Sequence, residues 1–475
     1  MRSFRKLAVP ILALLVAGLA SPAGAGAEAS GPVRTARSAA AGAPAACGTA
    51  NGKGEAPWPE FGGNGSHAQH GVGVTKPAGA LHRHWETAPL DGAMYGEAIV
   101  AGGCVYVATE DDSVYAFHAS TGAMAWRAHL ASPVTSGLAC AGDIAPSGIT
   151  GTPVLDRARD ELWAVVLTHV SGRPEHEVVA LDARTGRLVR RRELGLPGTD
   201  PTAEQQRAAL DLEDGNVYVA LGGLFGDCGD YQGAVVSVPE ASGHAPGYWR
   251  TPTSREGAVW EVGGPDALPD GDLLLATGNS AASPGQAFDG GDAVIELTAS
   301  LKMASYFAPS SWAQWNVSDL DLGSTGPALL PGGLAFEIGK AGEGFLVSIS
   351  HLGGVGGQLA SAQVCSGGAY GADAVSGSTV YVPCTEGLVA VRARGHSLKV
   401  LWRSSAGGAG SPVIAGGRLL EQTGAGQLVA LDPVNGRLLQ SLSLASPVTH
   451  FPWLVAVGRT LYAANGTRLE ALSGV

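Results

Sequence analysis

Few residues in this chain have the types and spacing that chemistry needs. His67-x-x-His70 and His82-x-His84 are spaced as metal-binding pairs, yet no carboxylate nearby in sequence supports either. The run from Asp266 to Asp272 (D-A-L-P-D-G-D) offers oxygens of the kind Ca²⁺ takes, but its Pro and Gly read as a hairpin turn. Gly353-Gly-Val-Gly-Gly357 resembles a phosphate loop only superficially. It has no strand-then-helix context and no following Lys-Ser/Thr. Neither a G-x-S-x-G elbow nor an H-E-x-x-H pair is present, which argues against the common hydrolases. No C-x-x-C occurs, so a dithiol redox motif and a zinc knuckle are excluded, and no C-x-x-C-H marks an attached haem.

The elements that must position any site follow from composition. Of 475 residues, 71 are Gly and only 15% are charged. Many tight turns and few charged helices fit that mix. No long Glu/Lys/Leu-rich stretch occurs, which excludes a coiled coil or helical solenoid. The net charge of −12 speaks against a nucleic-acid partner, because phosphate neutralisation needs clustered Lys and Arg.

Arg2, Arg5 and Lys6 precede an apolar run from Leu7 to Ala20 and small residues at Ala23-Gly-Ala25 and Ala25-Gly-Ala27. Residues 1–27 therefore read as a signal peptide, and the absence of an Arg-Arg pair favours the general secretory route. No later stretch is long and apolar enough to span a membrane. Residues 28–57, rich in Ala, Gly, Pro and Ser, read as a disordered linker. The expected protein is secreted and monomeric. Its six cysteines then lie in an oxidising compartment. Cys365 and Cys384 are expected to bridge, because each sits at a strand end. Cys104 with Cys140 is the next expectation, and Cys47 with Cys228 is the remainder.

From residue 58 onward the chain repeats. The unit is an apolar strand, a turn, then x-V-x-A-L-D-x-x-T-G, then a strand that often ends in Trp. Its clearest copies are Ser113–Gly122 with Trp126, Glu177–Gly186, and Gln427–Gly436. Degenerate copies begin at Ala234 (with Trp249), Ala293, Gly344 and Gly387 (with Trp402). Asp and Gly in D-x-x-T-G build a hairpin turn, since Asp accepts local hydrogen bonds and Gly supplies positive φ. Alternating apolar residues pack four-stranded blades on one another, and the Trp fills the gap between blades. The C-terminal strand Thr467–Leu472 lacks a fourth partner, which His84-Trp-Glu-Thr87 supplies. The expected fold is all-β: an eight-bladed β-propeller, with seven blades as the alternative, spanning 58–475 and closed by pairing of the N- and C-terminal strands.

These units resemble the pyrroloquinoline-quinone-type propeller repeat of quinoprotein alcohol dehydrogenases and their non-enzymatic relatives. The likeness is carried by Trp58-Pro-Glu-Phe-Gly-Gly63, Gly148–Val154, Gly226–Gly233, Ala276–Asn279, Asp319–Pro327 and Gly339-Lys-Ala-Gly342. In enzymes of that family the quinone stacks on a Trp, Ca²⁺ is held by Glu, Asn and Asp, and an Asp is the catalytic base. The resemblance places Trp260 as the stacking residue and Lys340 as a cofactor contact. Asn279 and Asp319 become metal ligands, and Asp319 or Asp321 the base. It also places Cys228 where the family has its Glu, beside Asp227, and the vicinal cysteines that cover the cofactor are missing. A Cys side chain supplies no oxygen for a hard cation. The expectation is a secreted binding or interaction scaffold with an incomplete cofactor site and no cofactor. Its partner would be a protein, a cell-wall component or a small molecule. The alternative is a secreted dehydrogenase of alcohols or polyols using pyrroloquinoline quinone and Ca²⁺.

Overall fold

The computed structural model describes residues 34–35, 46–52, 56–74, 79–241, 246–408, 410–444 and 449–475. The expected signal peptide lies outside them, as does most of the expected linker. Eight antiparallel sheets follow one another along the chain, each with a four-stranded core. Blade 1 comprises Ile99–Ala101, Cys104–Ala108, Ser113–His118 and Met124–His129. Blades 2 to 7 start at Val154–Asp156, Asp211–Glu213, Asp266–Ala267, Ala328–Leu330, Ala374–Ser376 and Val413–Ala415. Blade 8 takes Leu454–Val457, Thr460–Asn465 and Arg468–Ser473 from the C-terminus and His82–Glu86 from the N-terminal side. Trp85 pairs with Ala471 in that closing ladder. The fold is thus an eight-bladed β-propeller, closed as expected. Among the described residues, no helix is long and apolar enough to cross a membrane.

The repeat motif explains how blades lock. In blade 2, Asp182 Oδ1 accepts from the backbone N–H of Arg184 and Thr185 at 3.0 Å each, and Gly186 takes φ 72°. The turn lies flat against Trp126 of blade 1, whose Nε1 donates to Ala183 O at 3.1 Å. A Cβ on Gly186 would stand 2.5 Å from that indole. The same docking joins Trp85 to Gly122 and Trp402 to Gly436. Where the motif degenerates in blade 4, Leu301 occupies the positive-φ position at 56° and packs in one cluster with Trp249.

The expected linker and the Trp58 motif behave differently from their local composition. Residues 46–52 are held on blades 1 and 2: Cys47 is bonded to Cys104, Gly48 N–H donates to Gly102 O at 2.9 Å, and Ala50 N–H donates to Asp160 Oδ1 of blade 2 at 2.6 Å. Residues 58–72 run through the middle of the ring. Trp58 bridges Val100 of blade 1, and Pro59 O accepts from Leu155 N of blade 2 at 2.8 Å. His67 Nδ1 meets Asp266 of blade 4 at 2.9 Å, and Ala68 O accepts from Val375 N of blade 6 at 3.1 Å. His70 and Val72 bridge Ile414 and Val457 of blades 7 and 8. Phe61 is buried between Ala209, Val262 and Ala372, residues that precede three different blades. The channel of the propeller is therefore plugged by its own chain.

The disulfides are Cys47–Cys104, Cys140–Cys228 and Cys365–Cys384. The last is the expected pair. The other two correct the expected Cys104–Cys140 and Cys47–Cys228 pairings, because the segment from 46 docks on blade 1 while the loop at 140 reaches the loop at 228.

Candidate functional site

The loops of blades 3 to 5 bring together Trp260, Asn279, Asp319, Asp321 and Lys340. Trp260 lies between the outer strand of blade 3, Gly247–Arg250, and the first strand of blade 4. Asn279 follows the blade 4 strand Leu273–Ala276. Asp319 ends the short helix Trp312–Ser318 in a left-handed conformation, and Lys340 follows the blade 5 strand Leu334–Ile338. Backbone bonds fix the loops: Gly278 N–H donates to Ala258 O at 2.9 Å, and Lys340 N–H to Asp321 O at 2.9 Å.

The Lys340 ammonium stands between the two aspartates. It lies 2.8 Å from Asp319 Oδ1 and is also ion-paired with Asp321 Oδ2. Asp319 is well exposed, whereas Asp321 is fully buried, with Oδ1 accepting from Asn279 N at 2.7 Å. Burial raises the Asp321 pKa against the pull of Lys340. Burial also acts to depress the Lys340 pKa, but the two carboxylates overcome it and hold the ammonium charged to higher pH than usual. Asn279 Nδ2 donates to Asp319 Oδ1 at 3.1 Å, and Asn279 Oδ1 is buried without a hydrogen-bond partner.

One further residue, Arg207, belongs to the constellation. Its guanidinium carbon lies 4.8 Å from the Trp260 ring centroid and 5.8 Å from that of Phe451. The sequence carries no local sign of it: Arg207 lies outside the repeat signature, and only the fold lays it on Trp260. Tyr370 stacks in turn on Phe451, with centroids 6.4 Å apart.

The other candidates separate. His67 is buried and paired with Asp266, while His70 is exposed and touches blade 7 through its backbone. His82 and His84 are exposed and bond to the carbonyls of Ala80 and Ser120. The run from Asp266 is a hairpin turn, as expected. Asp91, Asp111 and His129 gather on blade 1, but Arg127 Nη2 already pairs with Asp91 at 2.5 Å.

The matching family model is described as outer membrane protein assembly factor BamB, and it covers residues 74–264 and 385–475. The chain belongs to this family of quinoprotein-like propellers. No curated protein matches its sequence. Solved structures match the fold. The quinohemoprotein alcohol dehydrogenase from Comamonas testosteroni is similar with TM-score 0.68 and 13% identity, over 88% of this chain and 80% of that one. The quinohemoprotein alcohol dehydrogenase ADHIIG from Pseudomonas putida HK5 gives TM-score 0.69 and 13% identity over the same shares. BamB from Moraxella catarrhalis gives TM-score 0.58 and 15% identity, over 83% of this chain and all of that one. At these identities the likeness establishes the fold and leaves activity open.

Quinone and Ca²⁺, which the dehydrogenases of this fold imply, fit the residues present poorly. Ca²⁺ takes six to eight oxygens. The unpartnered Asn279 Oδ1 is one such oxygen, but the Lys340 ammonium holds the space between Asp319 and Asp321. The remaining ligand position is Cys228, whose sulfur is bonded to Cys140. The neighbouring Asp227 is engaged by the Tyr231 hydroxyl at 2.7 Å. Trp260 is only 9% exposed, with Arg207 on its face, so little indole surface remains for a planar ring.

Proposed function

We propose that this propeller is an exported, non-catalytic binding or interaction scaffold. The observation that carries the reading is Arg207 on the face of Trp260: a side chain of the protein sits where a stacking cofactor would have to sit. Lys340 between Asp319 and Asp321 supports it, because an ammonium there repels a divalent cation. Family membership supports it too, since the matching description is that of an assembly factor. Three disulfides suit an oxidising compartment and so favour export. The partner would be a protein, a cell-wall component or a small molecule.

The competing reading is a dehydrogenase of alcohols or polyols, dependent on pyrroloquinoline quinone and Ca²⁺. It is favoured by the clustering of Trp260, Asn279, Asp319, Asp321 and Lys340 and by the free Asn279 Oδ1. Purified protein incubated with quinone and Ca²⁺ separates the two. The scaffold reading expects no stoichiometric quinone uptake by absorbance and no dye-linked alcohol oxidation. Uptake lost in Asn279→Ala, with oxidation lost in Asp319→Ala or Asp321→Ala, would establish the dehydrogenase instead.

A further inference from the structure

A second candidate site lies away from the Trp260 loops, where blade 8 closes against blade 1. A cleft of about 860 Å³ opens there, within the size range of small-molecule sites. Its walls are the closing strand His82–Glu86, the 457–460 turn of blade 8, two turns of blade 1 at Gly102 and Ser120, and the docked segment at Thr49. These walls are tied together. The Cys47–Cys104 bridge and the bond from Gly48 N–H to Gly102 O hold the docked segment on blade 1. Trp85 Nε1 donates to Ala119 O at 3.0 Å and joins the closing strand to the same blade.

The lining is polar and of one sign. The chain has 42 acidic residues against 30 basic, yet among the described residues no Asp or Glu lines the cleft, whereas Arg459, His82 and His84 do. Among the described residues the Arg459 side chain has neither a hydrogen bond nor an ion pair. The hydroxyls of Thr49, Ser120, Thr460 and Ser473 are likewise unengaged. Each histidine has one ring nitrogen committed: His82 Nδ1 to Ala80 O and His84 Nε2 to Ser120 O, both at 3.1 Å. A carbonyl only accepts, so those nitrogens carry the protons. His82 Nε2 and His84 Nδ1 are left as acceptors in the neutral rings. The only apolar side chains in the lining are Ala119 and Tyr462, and Tyr462 is 1% exposed, with its ring packed on Trp85.

We propose that this cleft binds a sugar or polyol that carries a phosphate. Arg459 holds the phosphate through charge-assisted hydrogen bonds, with the Thr460 hydroxyl beside it. Ligand hydroxyls donate to His82 Nε2 and His84 Nδ1 and exchange hydrogen bonds with Thr49, Ser120 and Ser473. An apolar ligand finds almost no apolar surface here, a cation meets a guanidinium and no carboxylate, and a neutral sugar gains nothing from the charge of Arg459. The site lies apart from Trp260 and goes beyond the scaffold reading, so the fate of one does not decide the other.

The test is calorimetric titration of the purified chain with glucose 6-phosphate, glucose and inorganic phosphate. EDTA is present throughout, so that no metal bridges phosphate to the imidazoles. The expected result is saturable glucose 6-phosphate binding, roughly tenfold or more tighter than that of glucose or phosphate alone. A similar loss is expected in Arg459→Gln and in the His82→Ala/His84→Ala double variant. All three side chains are exposed, and a thermal melt shows that each variant folds. Absent saturable binding, or glucose bound as tightly as glucose 6-phosphate, overturns the proposal in the unaltered protein. So does an unchanged affinity in either folded variant. The methyl phosphodiester of glucose 6-phosphate forms the last arm. Preference for the monoester assigns the site to a free sugar phosphate, preference for the diester assigns it to a repeat of a phosphate-linked polymer, and either upholds it.

Discussion

At the scale of single residues, Lys340 shows how a site can be occupied by its own protein. Asp321 is fully buried, and Lys340 is its charged partner. Removing one member of a buried pair leaves an uncompensated charge, at a cost of about 3–5 kcal/mol. Lys340→Met is therefore expected to lower unfolding free energy by about that amount, while Asp319→Asn, at an exposed carboxylate, is expected to change it by under about 1 kcal/mol. Chemical denaturation of the two variants checks this, and equal losses would show that Asp321 is not held by Lys340. Glycine makes a second residue-scale case. Gly186 combines φ 72° with an indole where its Cβ would be. Gly186→Ala must move Trp126 or the turn, and overpacking of this kind costs about 1–3 kcal/mol. A thermal transition unchanged from that of the native chain would mean that the turn and the indole do not touch. Of these residues, Asp319, Asp321 and Lys340 were legible from motif resemblance. Arg207 was not, because stacking on Trp260 depends on a loop approach that no local pattern encodes.

At the scale of elements, the blades were legible and the plug was not. The D-x-x-T-G turn is local physics, and it repeats, so strand order and the closing strand near Trp85 follow from sequence. Segment 58–72 has no such periodicity. Its place is set by backbone bonds to five different blades and by the His67 side chain on a sixth. The same reason hid the cysteine pairing: Cys365 and Cys384 flank one hairpin, whereas Cys47 finds Cys104 only because its segment docks on blade 1. Two outcomes follow for these elements. Phe61, 3% exposed in the plug, is expected to cost about 3–5 kcal/mol when replaced by Ala, seen as a lower denaturation midpoint. The Cys47–Cys104 bridge closes a separation of 57 residues, for which chain entropy gives up to about 4 kcal/mol. The Cys47→Ser/Cys104→Ser double variant should lose stability of that order. A loss near zero would indicate that the docked segment holds its position without the bridge.

At the scale of the whole molecule, the propeller holds ionisable groups away from water, Glu97, His67 and Asp211 of them around the plug, and this gives stability a direction with pH. Burial raises the pKa of Glu97 and Glu110 to about 7 and those of Asp112, Glu204 and Asp211 to about 8. Burial acts to lower the pKa of His67 in the plug, but Asp266 at 2.9 Å and the nearby Asp211 and Glu60 outweigh it and bring it to about 9. Each of these groups binds its proton more tightly folded than unfolded. Their contributions are therefore full below the unfolded pKa values and lost as pH rises through the folded ones. For His67 the loss falls between about pH 6.5 and 9 and amounts to the order of 3 kcal/mol. His176 opposes this only on the acid side, because burial lowers its pKa to about 4 and protonation between there and 6.5 costs stability. The propeller is therefore expected to melt several degrees higher at pH 6 than at pH 9. The difference should shrink in His67→Gln, which keeps a polar group beside Asp266 but cannot carry the charge. Thermal melts of both proteins across that range measure it, and a native chain that melts higher at pH 9 would show that the buried acids and His67 do not retain their protons in the folded protein.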